Sequence, residues 1–455
     1  MYKKTLFILA LISFTVNAQD TIRGVMKPAK NYSYIILNQL NTVNKKYIAN
    51  AEVKDGKFKI AVPKGTKSGM YRLEYDVNKN LFIDFLYNNE DIDFEFHPEY
   101  PNDIVKFNKS DENKLFQNYI DEVSGVQNKL DSVQVKYFQT KDKKEEKRLS
   151  SLYEKELKVL KTKYTLFHKK SKGKMASHFI KASNRHYNTK LIKDTNEYLD
   201  NLKLHYFDNI DFNDKVLANS SLFIDRVMDY ILYLTNSKDH DKALELRKKA
   251  ITFSLDKITS SELKNDIMQS LLYLFAQQEN KEITDYIFKN HFGKLPIALQ
   301  DFEFKNMIND MFKTTIGQPA PNIEWEVYGK PFSLVTLEKT DYYVVVFWSS
   351  TCPHCLKELP KYNEFLAKNK NITTIAIGLE DDNSKTGWKE ETFYLENLTH
   401  HVLGLGKWKS KYAKDYGVTG TPSYYVLDSN KKIIAKPYDY KKLRAFFEKE
   451  IQKKK

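Results

Sequence analysis

The spacing of apolar residues changes character twice along the chain. Between residues 20 and 105 they alternate or cluster in short runs: TIRGVM, YSYIILNQL, KYIANAEV, KFKIAV, MYRLEYDV and NLFIDFLY. Turn signals such as Lys54-Asp55-Gly56 and Asn88-Asn89-Glu90 separate them. Short period-two segments at this spacing predict a small β-sandwich over residues 19–108. No charged or histidine cluster in it points to catalysis, so it reads as a docking or spacer domain. From Ser110 the period is helical. Ser110-Asp111-Glu112-Asn113 has the form of an N-cap with acids in the first turn. Helical patterns continue to about 313, broken at Lys172-Gly173, at Phe207-Asp208-Asn209 and near Gly293. In residues 221–234 apolar side chains recur at Leu222, Val227, Tyr230, Ile231 and Leu234, and DIMQSLLYLFAQ (266–277) behaves alike. Such stripes predict the core of a helix bundle rather than a cofactor-binding face. This helical region spans 109–313. His168, His178, His186 and His205 lie in it without acidic partners at a metal-ligand spacing, and they are read as ordinary histidines.

The second change comes at Pro319 and Pro321, which enforce extended backbone on the residues before them and open a final domain over 314–455. There YYVVVF (342–347) is a continuous apolar run of strand length, as suits a strand buried on both faces. Trp348-Ser349-Ser350-Thr351 leads from it into Cys352-Pro353-His354-Cys355. An amphipathic pattern to about Lys370 follows, with Leu359, Tyr362, Phe365 and Leu366 on its inner side, and then a second apolar run, ITTIAI (372–377). The order predicts a β-α-β unit with a Cys-x-x-Cys at the strand-to-helix turn.

The two ends of the composition sharpen this picture. Lys3 and Lys4, the short apolar run Thr5 to Val16, and Val16-Asn17-Ala18 have the form of a cleaved secretory signal over residues 1–18, with Gln19 as the first mature residue. Twelve residues of helix span roughly 18 Å, short of a hydrocarbon core of about 30 Å. The expected location is therefore periplasmic or otherwise extracytoplasmic. No cysteine follows the apolar run, so lipidation at that site is not expected. An exported chain of this size has room for several structural disulfides, yet it holds 2 cysteines, and they sit three residues apart. A bridge between them closes too small a loop to do much for stability, which points the pair to chemistry. The formal net charge of +14 is spread over lysines interleaved with acids, as in KDKKEEKR (141–148), a solvated helix face rather than a nucleic-acid patch.

At a helix N-terminus Cys352 faces free N–H groups and the positive end of the dipole, and both favour thiolate, the attacking form. Pro353 suits the first helical position, which needs no N–H. His354, when protonated, adds positive charge beside the sulfur and with it favours a more oxidising pair. Cys355, one turn further in, suits the resolving role.

From Gly317 to the C-terminus the chain resembles the TlpA/ResA-like branch of the thioredoxin family. The matching stretches are GQPAPNIEW (317–325), GKPFSL (329–334), VVFWSSTCPHCLKELP (345–360) and YGVTGTPSYYVLDSNKKII (416–434). The resemblance implies an α/β thioredoxin fold and thiol–disulfide exchange with proteins or small thiols through a redox-active Cys352–Cys355 disulfide. It implies no organic cofactor, and a redox partner that is a membrane-bound transducer in one arrangement. It implies that Pro422 is a cis-proline facing the sulfurs, with the backbone of Thr421 free to pair with substrate, and that Glu358 fills the place of a proton-carrying carboxylate. Glu358 also fits as a first-turn acid favoured by the dipole alone. Trp348 and Phe347 are expected to form an apolar rim, whereas Tyr416 and Trp408 fit either a place near the site or the core, and the core is favoured. Pro353-His354 departs from the branch: this dipeptide is that of the periplasmic oxidase DsbA, so the scaffold points to a reductant and the dipeptide to an oxidant. Residues 53–62 (VKDGKFKIAV) and 207–214 (FDNIDFND) resemble extracytoplasmic TlpA-like proteins of Gram-negative bacteria that carry a β-rich domain.

Three rivals are weaker. A zinc site needs four ligands, and no second cysteine pair exists; a peroxidatic site wants Thr where Ser349 stands. A redox-inert binding protein that uses the fold as a scaffold has no reason to keep Cys352, Cys355 and Pro422 together. Substrate identity and oligomeric state have no signature in the chain.

Overall fold

The computed structural model describes residues 20–453 except 31, 78, 102, 103 and 236. The expected signal segment, 1–18, lies outside the described residues. The chain divides into two compact units, Met1–Ser270 and Leu271–Lys455.

The first unit opens with eight strands: β1 (Thr21–Met26), β2 (Tyr34–Leu40), β3 (Lys45–Glu52), β4 (Lys57–Ala61), β5 (Gly69–Asp76), β6 (Leu81–Tyr87), β7 (Ile92–Phe96) and β8 (Val105–Lys109). They form two four-stranded sheets, in the orders β4-β1-β7-β8 and β3-β2-β5-β6. One apolar cluster draws on both, with Ile22, Phe58 and Phe94 from the first sheet and Leu37, Leu73 and Phe85 from the second. Alternation is clean in β4, where Phe58 and Ile60 are buried between exposed Lys57, Lys59 and Ala61. Gly24 stands opposite Phe58, and a Cβ there would lie 2.1 Å from the ring, so only glycine lets the ring fold over β1. The sequence reading marks β1 to β6 and misses β7 and β8. β7 alternates as cleanly as β4, with Ile92, Phe94 and Phe96 buried, whereas β8 buries only Phe107 and has no period of its own.

Helix α1 (Asp111–Gln139) begins where its cap predicts: Ser110 Oγ accepts from the Asn113 amide at 3.1 Å, with Asp111 and Glu112 in the first turn. α2 (Lys143–Ser171) is capped by Asp142, which accepts from the Lys144 amide at 2.9 Å. KDKKEEKR therefore straddles a turn and a cap as well as a helix face. Four further α-helices lie wholly in this unit, α3 (Ala176–Ala182), α4 (Thr195–Leu204), α5 (Leu222–Leu232) and α6 (His240–Asp256); α7 (Ser261–Gln277) crosses the division. Phe223, Val227, Tyr230 and Ile231 of α5 are buried, as the stripe requires.

The second unit holds α8 (Lys281–Asn290), α9 (Phe302–Met311), a hairpin of β9 (Glu324–Val327) and β10 (Lys330–Ser333), and a five-stranded sheet. The sheet contains β11 (Tyr342–Trp348), β12 (Ile372–Glu380), β13 (His400–Leu405), β14 (Ser423–Asp428) and β15 (Ile433–Ala435), in the order β13-β12-β11-β14-β15. β11, β12 and β13 are parallel; β14 and β15 run antiparallel to their neighbours. α10 (Pro353–Ala367) and α13 (Tyr440–Lys453) bury Leu359, Tyr362, Leu443 and Phe447 against one face. The opposite face packs Ile323, Leu334, Ala413 and Tyr416, the last two from α12 (Lys411–Tyr416); α11 (Lys385–Phe393) lies between β12 and β13 in the chain.

Residues 271–313 belong with this sheet rather than with the preceding helices, so the chain divides inside α7 and not at the prolines. Lys436 pairs with Glu279 at 2.8 Å, and the segment after the helices is hydrogen-bonded along β15, from Gly317 N to Ile433 O at 2.7 Å and from Ala320 N to Lys431 O at 2.9 Å.

Candidate active site

β11 is buried at all seven positions because it is the middle strand, paired with β12 on one side and β14 on the other. Its end delivers the chain to a loop that a buried carboxylate holds. Glu380, fully buried at the end of β12, accepts from the Ser350 amide at 2.6 Å and from Ser349 Oγ at 3.3 Å. The Thr351 amide donates to Ser349 Oγ at 3.2 Å, and the Cys352 amide to the Ser349 carbonyl at 3.1 Å. A buried charge is tolerated where it is hydrogen-bonded, and here it fixes the approach to the cysteines. The sequence reading missed Glu380; its only signal is an acid ending an otherwise apolar strand.

Cys352 is the N-cap of α10, and Pro353 occupies the first helical position. Both cysteines are free thiols. Cys352 Sγ accepts from the Cys355 amide at 3.2 Å, the bond an N-cap side chain makes, and its S–H donates to the Thr421 carbonyl at 3.4 Å. The Thr421-Pro422 peptide is cis, so Pro422 lies beside the sulfurs. Cys352 is half-buried and Cys355 fully buried. Burial pushes the Cys355 thiol well above the ordinary range, and the neighbouring Cys352 adds to it. His354 is exposed on the same turn.

Glu358, one turn after Cys355, is half-buried. Its Oε2 accepts from the Tyr424 hydroxyl at 3.3 Å and from the Tyr440 amide at 2.9 Å. The carboxylate thus joins α10 to β14 and to the start of α13. Tyr424 is pushed above the phenol range, first by burial and then by the Glu358 charge.

Three expectations need correction. Trp348 and Phe347 form no rim: both are fully buried, because β11 lies between the two layers of the unit, and their rings fill opposite cores. Trp408 is 47% exposed rather than core, whereas Tyr416 is core and donates to the Pro321 carbonyl at 2.7 Å. The histidines of the helical region do have partners: His178 Nδ1 lies 2.6 Å from Asp214, His205 Nδ1 2.7 Å from Asp208, and His168 Nε2 2.9 Å from the Asn184 amide.

A β-α-β unit with a cysteine pair at the helix start, beneath a cis-proline turn from the adjacent strand, defines the thioredoxin class of fold and site. Residues 315–449 match the Redoxin family. The thiol-disulfide oxidoreductase ResA of Bacillus cereus is 26% identical over 134 residues, covering 29% of this chain and 75% of that protein. The ResA of Bacillus thuringiensis subsp. konkukian is 28% identical over 123 residues, covering 27% of this chain and 69% of its own length. Among solved structures, the thioredoxin domain of a thiol-disulfide oxidoreductase from Bacteroides vulgatus is 27% identical with a TM-score of 0.26, over 30% of this chain and 96% of that one. A thioredoxin-like protein from Bacteroides caccae is 16% identical with a TM-score of 0.41, over 58% and 97%. The C-terminal part of this chain is thus similar, over residues 315–449, to Redoxin-family proteins and to ResA-type thiol-disulfide oxidoreductases.

Proposed function

We propose that the protein is an extracytoplasmic thiol–disulfide oxidoreductase that works through the Cys352-Pro353-His354-Cys355 motif, with the cysteine pair as its redox centre and no organic cofactor. The observation that carries this reading is the placement of Cys352 Sγ. It caps α10, and it faces the Thr421 carbonyl next to cis-Pro422. In the reducing direction the Cys352 thiolate attacks a substrate disulfide, forming a mixed disulfide and releasing one substrate thiolate. Cys355 loses its proton and attacks the Cys352 sulfur. The second substrate thiolate leaves, and two electrons have passed from the pair to the substrate. The oxidising direction is the reverse. Thr421 and Pro422 hold the substrate backbone, and Glu358 takes the proton from Cys355, whose burial resists ionisation. His354 lies exposed on the first turn of α10, between the two cysteines. The partners are substrate proteins or small thiols, together with a redox partner, a membrane-bound transducer being one form of it. Among the described residues no helix is long and apolar enough to cross a membrane. The N-terminal sheets, read as a β-sandwich, serve as a docking or spacer domain.

The test is turnover with a dithiol–disulfide assay and the reduction potential of the pair. Cys352→Ser abolishes exchange if the reading holds; retained exchange, or partner binding with no exchange ever detected in the parent, overturns it. A potential near about −120 mV marks an oxidant or isomerase, and one near about −270 mV a reductant.

A further inference from the structure

We propose that His186, His205 and Asp208 form a binding site for a divalent transition metal, zinc above all, in the helical part of the first unit. The three come from two segments that the sequence separates. His186 lies in the irregular stretch after α3. His205 is the C-cap of α4, and Asp208 lies in the turn that follows. One ligand atom from each can be chosen so that all lie within 4.8 Å of one another. The imidazole rings stack at 4.0 Å with 11° between their planes. Asp208 Oδ2 sits 2.7 Å from His205 Nδ1 and 4.0 Å from His186 Nδ1, so one carboxylate oxygen serves both rings.

One physical feature favours an ion over an ordinary ion pair: the surrounding backbone is held independently of the cluster. Arg185 and Tyr187, on either side of His186, both bond Asp131, at 2.9 Å and 3.1 Å. The Arg185 amide donates to the Tyr164 hydroxyl at 3.0 Å. Asn209 Nδ2 ties the second segment to the first by donating to the Asn184 carbonyl at 3.0 Å. Phe207, between His205 and Asp208, is packed against Phe212 and Tyr230. The ligands therefore project from a fixed frame. A tetrahedral ion with bonds of about 2.1 Å wants donor atoms about 3.4 Å apart, so the two rings turn out of their stack and the side chains close by at most about 1.5 Å to complete the set. Two imidazoles and one carboxylate suit Zn(II), with Cu(II) and Ni(II) as competitors. Both histidines also line a cavity of about 310 Å³, which leaves an open coordination position for water or a small anion.

The cysteine pair would bind zinc itself, so the test uses the full chain carrying Cys352→Ser and Cys355→Ser, titrated calorimetrically with zinc chloride. The expected result is one equivalent bound at micromolar or tighter affinity. His186→Ala, His205→Gln and Asp208→Asn each weaken it tenfold or more, with circular dichroism unchanged. His178→Ala, whose ring pairs with Asp214, leaves it unaltered. Absence of binding in the double-serine chain overturns the proposal, as does full affinity in folded His186→Ala. Cobalt(II) loading of the double-serine chain reads the site without touching it. Strong visible bands of a four- or five-coordinate ion support the assignment, and a weak six-coordinate spectrum overturns it.

Discussion

Three residues apart on one helix, the two thiols meet opposite surroundings. Cys352 caps the helix at the edge of the domain; Cys355 is sealed beneath the first turn, and desolvation keeps its proton on. Alkylation should therefore discriminate between them. Iodoacetamide at about pH 8 should place one label on the reduced protein, at Cys352, and Cys352→Ser should react at least about tenfold more slowly. Peptide mass mapping checks this, and labelling of both sulfurs at equal rates would contradict the burial. The spacing Cys-x-x-Cys, the proline after the first cysteine and the threonine–proline pair at 421–422 could all be read from the chain. Glu380 and the true surroundings of Trp348 could not. A strand's neighbours decide whether its last residue faces solvent, and those neighbours lie 30 residues or more away in sequence for Ser350 and Glu380.

At the scale of elements, local chemistry predicts starts better than it predicts partners. Ser110 and its acids mark the beginning of α1, but nothing in the chain shows that Asn113 then leaves the helix-surface role its neighbours have. Its side chain bonds both backbone groups of Leu86, accepting from N at 2.8 Å and donating to O at 2.7 Å, as a neighbouring strand would. Asn113→Ala leaves a buried donor and acceptor unsatisfied, so the chain should lose about 2–3 kcal/mol of stability, measured by urea unfolding followed at the tyrosine and tryptophan signals. A loss below about 0.5 kcal/mol would show that water replaces the amide. Beside it, Glu112 accepts from the Met175 and Ala176 amides at 3.1 Å and 2.7 Å, so an acid that reads as a dipole partner for α1 also caps α3. β8 illustrates the complementary limit: a strand with one buried residue owes its existence to β7, not to its own pattern.

For the molecule as a whole, pH dependence tests packing around β13. His400 meets Trp325 edge-on with ring centres 5.1 Å apart, and His401 bonds the Leu395 carbonyl at 3.2 Å. Burial holds both imidazoles below their ordinary value. The unfolded chain then binds more protons than the folded one. Their contribution is fully present above about pH 6.5, the unfolded value, and is lost as pH falls through the lower folded values. Thermal unfolding of the full chain should move to lower temperature between about pH 7.5 and pH 5. His400→Gln with His401→Gln should flatten that slope, and an unchanged slope would place its origin elsewhere. Net charge of +14, spread as it is, adds self-repulsion but no patch that this dependence needs.

By itself the sequence determined what depends on near neighbours: the strand period of 20–87, the cap of α1, the Cys-Pro-His-Cys turn at the start of α10, and the branch that the last 139 residues resemble. Only the tertiary structure decided what depends on distant ones. It moved the division of the chain into α7, buried Trp348, placed Glu380 under the active-site loop, and brought His186 to within 4.0 Å of His205. Local propensity is set by a residue and the few around it, whereas burial, pairing and convergence of side chains are set by which segments the core draws together.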